Sequence, residues 1–234
     1  MPKRRNKKKF LFELSMEIEA CNRCPYSSTR KAPILGNGEY RSPILVVAPN
    51  IRKRDDEESE VFSGKANAKL DRMLTQAELQ LNQVYRTPLV RCYAGREPEF
   101  GEFGAFTRCQ SYTVKLMKIM KPAVVVVCGL KVFKWLIVRW SNEVVDDHTF
   151  YKWIGKSVRL KEIWGDMKFF VIESPAELSK KRNPEAEAKS VEALAAMKAY
   201  VVSHQKGDPI ALEMVDLQKR SRKRGQAQQL FDWA

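Results

Sequence analysis

The stretch "PAVVVVCGLKVFKWLIVRW", residues 122–140, decides the fold class. Its valine run ahead of Cys128 and Gly129 is short, β-branched and uniformly apolar, as a strand buried on both faces of a sheet should be. Beyond Gly129, the charges Lys131, Lys134 and Arg139 break the apolar run, and the segment reads as a helix. The same interruptions exclude a membrane span. A buried strand feeding a helix is the building unit of an α/β protein.

The unit recurs on both sides. "SPILVVAP" (42–49) is a short apolar strand bounded by prolines, and "KANAKLDRMLTQAEL" (65–79) sets Leu70, Met73, Leu74 and Leu79 on one helical face. "VYRTPLVRC" (84–92) reads as a second strand whose Pro88 suggests a strand end or sheet edge. The loop "YAGREPEFGEFGAF" (93–106) leads to Thr107, a candidate N-cap for the helix "RCQSYTVKLMKIM". "KFFVIES" (168–174) is a fourth strand, and "NPEAEAKSVEALAAMKAYVV" (183–202) a helix with proline at its start. "FLFELSMEIEAC" has helical spacing, whereas "IRKRDDEESE" (51–60) shows no period and reads as a charged loop. The expected architecture is a three-layer α/β/α sandwich around a mostly parallel four-stranded sheet. Ligands in such sheets bind beyond the carboxyl ends of the strands, which draws attention to "APN", "RCYAG" and "ESPAE".

At 234 residues, with 44% hydrophobic and 10% aromatic content, the chain can bury one sizeable core. The net charge of +14 sits at the ends. Lys3, Arg4, Arg5, Lys7, Lys8 and Lys9 lead the chain; Lys219, Arg220, Arg222, Lys223 and Arg224 come near its end. Without those eleven, 31 basic residues face 28 acidic ones. Dense basic ends suit salt-sensitive, sequence-tolerant contact with nucleic acid phosphates. The plain alternatives are solubilising tails or a surface for an acidic protein. The expected organisation is a basic arm over 1–10, a folded domain over 11–204 and a basic tail over 205–234. No secretory signal is legible, so a cytoplasmic location is expected.

Cys21 and Cys24 form a Cys-x-x-Cys pair, while Cys92 and Cys109 stand singly at a strand end and a helix start. A zinc ribbon would normally use two compact pairs, and a thioredoxin motif only one. One pair with two distant single cysteines suits a cluster held by four thiolates. Cys128 reads as a core thiol.

The segments "CNRC", "ILVVAP", "VFSGKANAKLDRML", "VYRTPLVRC", "KPAVVVVCG", "SPAEL" and "RNPEA" resemble, in order and spacing, the iron–sulfur uracil-DNA glycosylases of the family-four type. The resemblance covers roughly residues 17–200. It implies a structural [4Fe-4S] cluster on Cys21, Cys24, Cys92 and Cys109, a prokaryotic or phage setting, and a flipped base gripped by its edge. It also implies four catalytic pieces. Where the family carries a glutamate that handles water, this chain has Val47, which cannot accept a proton. Phe62 stands at the base-stacking position, though a core phenylalanine would read the same way. Pro88 replaces the asparagine that reads the uracil edge. Ser174 replaces the histidine that stabilises charge on the uracil oxygen, and a hydroxyl carries no positive charge. Asp55, Asp56, Glu57 and Glu58 are candidate substitutes, with a solvated surface as the plain reading; Asn50 and the lone His148 complete the polar candidates. The expectation is a DNA-binding, catalytically degenerate member that serves DNA replication or repair. The alternative is an active glycosylase with an altered pocket.

The C-terminal "RSRKRGQAQQLFDWA" ends in Leu230, Phe231 and Trp233. These either fold back on the body or form a docking peptide. A glutamine-rich lead-in before Leu-Phe resembles the peptides with which replication proteins bind sliding clamps, in an imperfect register because Ala227 stands where a glutamine is expected.

Overall fold

The computed structural model describes residues 7–93, 95, 104–207 and 210–219. In chain order the elements are α1 (Lys7–Glu19), β1 (Asn37–Gly38), β2 (Ile44–Asn50), α2 (Lys53–Glu58), α3 (Gly64–Gln76) and β3 (Val84–Val90). Then come α4 (Ala105–Met120), β4 (Val124–Cys128), α5 (Gly129–Leu136), β5 (Ser157–Arg159) and α6 (Lys161–Trp164). The chain continues with β6 (Lys168–Ile172), α7 (Pro175–Lys180), α8 (Pro184–Gln205) and β7 (Met214–Asp216).

The sheet has seven strands in the order β1-β3-β2-β4-β6-β5-β7. Its four central members, β3, β2, β4 and β6, are mutually parallel and are the four strands legible in the sequence. The additions are short edges: β1 antiparallel on β3, β5 antiparallel on β6, and β7 parallel on β5. Every residue of β4 is fully buried, which explains the valine run. From β2 the chain steps to β3, then returns past β2 to β4 and β6. Right-handed crossovers therefore place α3 on one face and α4 and α5 on the other. Helix α8 lies on β6 and against α3, while α4 lies on β3 and against α1. The reversal makes the carboxyl ends of β2 and β4 a topological switch point, where a crevice is expected.

Several boundaries differ from the sequence reading. Segment 51–60 is not a loop: α2 forms because the Asp55 carboxylate accepts the Arg52 N–H at 2.9 Å and closes the first turn. Helix α4 is capped by Gly104, not Thr107, and so starts two residues before that threonine. Pro88 lies inside β3, but β1 pairs only with Tyr85 and Arg86, so β3 is an edge at the proline. Lys7, Lys8 and Lys9, expected in a free arm, begin α1, whose Leu11, Leu14 and Ile18 bury one helical face. Beyond residue 204, β7 extends the sheet, Arg159 and Asp216 pair at 2.6 Å, and Lys219 bridges Ser141.

Candidate functional site

A cavity of about 390 Å³ opens at the carboxyl ends of β2, β4 and β6. Its wall includes Pro49 and Asn50 from β2, Gly129 and Lys131 from α5, and Glu173 and Ser174 from the end of β6. Arg52, Asp147, Phe150, Lys181 and Asn183 also contribute. Gly129 has φ +84°, and a Cβ there would stand 2.8 Å from the Ser174 Cβ, so only glycine lets the start of α5 approach the serine.

Of the sequence-derived positions, Ser174 lines this cavity and Val47 and Pro88 do not. Val47 is fully buried in β2, beside Thr87 of β3, and Pro88 is buried in β3. The cavity wall does carry two polar groups of note. Asn50 is buried and donates its amide Nδ2 to the Ile51 carbonyl at 3.1 Å. The Glu173 carboxylate accepts the Ser174 N–H at 2.7 Å, and its own N–H donates to Ser190 Oγ at 3.0 Å. Burial pushes the Glu173 carboxyl above the usual range; the Ser174 N–H pulls it down, and Glu177 pushes it up. Sequence reading missed Glu173 because a single carboxylate before "SPA" has no spacing signal. Only the sheet brings it to the strand end.

The acidic run is structural rather than a cavity wall. Asp55 is buried and accepts the backbone N–H groups of Arg52 and of Ser63, the latter at 2.5 Å. Burial pushes its carboxyl up, and those two bonds oppose the shift. Glu57 faces Lys53 at 3.9 Å and Glu58 pairs with Arg54, both on the exposed side of α2. Asp56 Oδ1 is buried without a hydrogen-bond partner among the described residues, and burial pushes that carboxyl up too. Phe62 is buried within the core cluster and does not line the cavity, yet its φ is +63°, a strained value for an aromatic residue. His148 lies outside the cavity wall, its N–H bonded to Asp146.

Cys21 follows α1, Cys24 precedes a 3-10 turn at Pro25–Ser28, Cys92 follows β3, and Cys109 lies in α4. All are free thiols. Arg30 Nη1 donates to Cys92 Sγ at 3.3 Å and also faces Cys21; Cys92 and Cys109 each face Cys24. Burial pushes the Cys109 thiol up to about 12. Among the described residues, no three Cys, His, Asp or Glu side chains are arranged around a single metal ion. One ion needs every donor about 2.3 Å from one point.

Arg91 tests the fit. Its guanidinium is buried, and it donates to Ile34 O, Leu35 O, Thr87 Oγ1 and Thr113 Oγ1, all neutral acceptors. Its Nε has no partner among the described residues, and Cys109 and Cys92 are the first and third groups that support its charge. A buried cation without a carboxylate is costly. An anionic group held on those thiolates would compensate it, so the residues present fit an anionic cluster.

Lys7 Nζ donates to the Met120 carbonyl at 2.7 Å and Lys9 faces Glu13 at 3.8 Å. Lys3, Arg4, Arg5, Arg220, Arg222, Lys223, Arg224, Leu230, Phe231 and Trp233 lie outside the described residues. No helix among the described residues is long and apolar enough to cross a membrane.

A mostly parallel sheet covered on both faces, with a polar cavity at its switch point, defines a doubly wound α/β protein with a candidate ligand pocket at the strand ends. Residues 35–198 match the profile of the Uracil DNA glycosylase superfamily, and the chain belongs to that superfamily. It is similar to the type-4 uracil-DNA glycosylase of Pyrobaculum aerophilum, 28% identical over 115 residues, 48% of this chain and 57% of that protein. The corresponding protein of Archaeoglobus fulgidus is 27% identical over 121 residues, 51% of this chain and 59% of the relative. That of Saccharolobus solfataricus is 26% identical over 116 residues, 48% and 52%. The chain thus spans between half and three-fifths of the length of these relatives.

Proposed function

We propose that this chain is a DNA-binding iron–sulfur member of the superfamily that does not excise uracil by the family's route. One observation supports the reading: Val47 and Pro88, which the resemblance sets at the positions of the proton-handling and edge-reading groups, are buried apolar side chains absent from the cavity wall. Valine can neither take a proton nor hold water, and proline has no side-chain donor. Ser174 reaches the cavity but offers a hydroxyl where a cationic donor would stabilise the departing base.

Cys21, Cys24, Cys92 and Cys109 would hold the [4Fe-4S] group, with Arg91 and Arg30 beside them. When bound, it would supply structure rather than reaction chemistry, tying the end of α1 to β3 and α4. Asp55 holds the turn that carries Phe62. The basic residues at 3–9 and 219–224 would neutralise phosphates, and Leu230, Phe231 and Trp233 would dock on a sliding clamp. The setting would be the cytoplasm of a prokaryotic or phage-infected cell, in DNA replication or repair. A peptide of residues 225–234 that fails to bind a sliding clamp would remove the docking element alone. A single-turnover assay on uracil-containing oligonucleotides tests the main reading.

Glu173 supports a second reading, an active glycosylase with an altered pocket. Glu173 lines the cavity, and its carboxyl is pushed by burial toward the neutral form, as a general acid requires. Excision of any modified base that is lost in Glu173→Gln would select this reading. Persistent excision by Glu173→Gln would remove Glu173 from the chemistry, and no excision of any modified base by the parent would refute the reading.

A further inference from the structure

A second, larger depression of about 840 Å³ lies at the opposite end of the same strands. Pro43 before β2, Pro122 and Ala123 before β4, and Lys168 at the start of β6 form its floor. Its lining brings Lys7, Arg41, Lys118, Lys121 and Lys168 together with one carboxylate, Asp166. Lys7 and Lys168 are fixed by Met120 O at 2.7 Å and Asp166 O at 2.9 Å, so their charges stay at the groove. Between the cations lie the half-buried Ile163, Trp164 and Met167 and the exposed His204, whose ring stacks on the buried Tyr200. The rings of that pair stand 5.6 Å apart at 16°, with His204 exposed.

We infer that this groove binds single-stranded DNA. Cations that track a backbone, set beside apolar and aromatic surface that takes bases, are the requirement for a single strand. A duplex presents its bases stacked and could use only the cations. The five residues of β4 separate groove from cavity by about 17 Å at 3.3 Å per residue. The groove therefore holds a strand apart from whatever enters the cavity. The inference shares with the proposed function only that the chain binds DNA; uracil excision and groove binding succeed or fail separately.

The test is fluorescence anisotropy of the full chain with a labelled oligothymidylate of about 15 nucleotides over a salt series. The variant Arg41→Gln/Lys118→Gln/Lys121→Gln should bind at least about tenfold more weakly, with a salt slope shallower by about 2, since each single-strand phosphate contact contributes about 0.7. Arg41→Lys/Lys118→Arg/Lys121→Arg should bind like the parent. On the unaltered protein, bound oligonucleotide should protect Lys118 and Lys121 from amine acetylation, a readout that does not depend on the variants folding. Unchanged affinity and slope in the glutamine variant, or no protection of these lysines, would overturn the inference.

Discussion

The carboxylate of Asp55 in α2 accepts the backbone N–H of Ser63 at 2.5 Å, across the turn that carries Phe62. The same carboxylate caps α2 through Arg52. One buried side chain thus satisfies two backbone donors and holds a strained aromatic residue in place. Asp55→Ala leaves both donors unsatisfied and should cost about 1–3 kcal/mol. Urea unfolding measures it; a loss below about 0.5 kcal/mol, the range of an ordinary surface change, would contradict the role.

Gly129 meets Ser174 where a side chain would stand 2.8 Å from the serine Cβ at φ +84°. Gly129→Ala combines that clash with backbone strain of about 1–3 kcal/mol. The expected result is a lowered unfolding midpoint, and wild-type stability in this variant would contradict the close approach.

Arg91 makes iron removal a test of electrostatics. A cluster on those thiolates would set an anionic group against its buried charge; without iron the charge would face neutral thiols, Cys109 above all. Anaerobically purified protein should contain about four irons per chain, and Cys92→Ala or Cys109→Ala should lose them. Chelation should destabilise the parent more than it destabilises Arg91→Met, because methionine leaves no buried charge to compensate. Equal losses in the two proteins, by urea unfolding before and after chelation, would remove Arg91 from the account.

Glu173 sets a pH dependence. Burial raises its carboxyl in the folded state, so its contribution is fully present below the ordinary carboxylate value, about pH 4, and is lost as the pH rises through the raised one. Glu173→Gln stays neutral throughout. Its stability relative to the parent should therefore improve between about pH 4 and pH 7. A constant difference across that window would show that the carboxyl is not perturbed.

The central strands were legible in the sequence for a physical reason. A strand buried on both faces must be uniformly apolar, as at 124–127. The edges were not legible: β1 has two residues and β5 and β7 three each, too few to show a period. Helix α2 was hidden because all six of its residues are charged and its first turn is closed by one cap at Asp55. Glu173 joins the cavity only through the register of β6 beside β4, a relationship no local pattern encodes.

The central claim is that the cavity lacks the groups that release uracil. A single-turnover assay with excess protein over a uracil-containing oligonucleotide tests it most directly, since it reads chemistry without product release. Each missing oxyanion-type donor costs about 10²–10³-fold. With Val47, Pro88 and Ser174 in place, no detectable abasic product is expected. Robust uracil excision by the unaltered protein would contradict it.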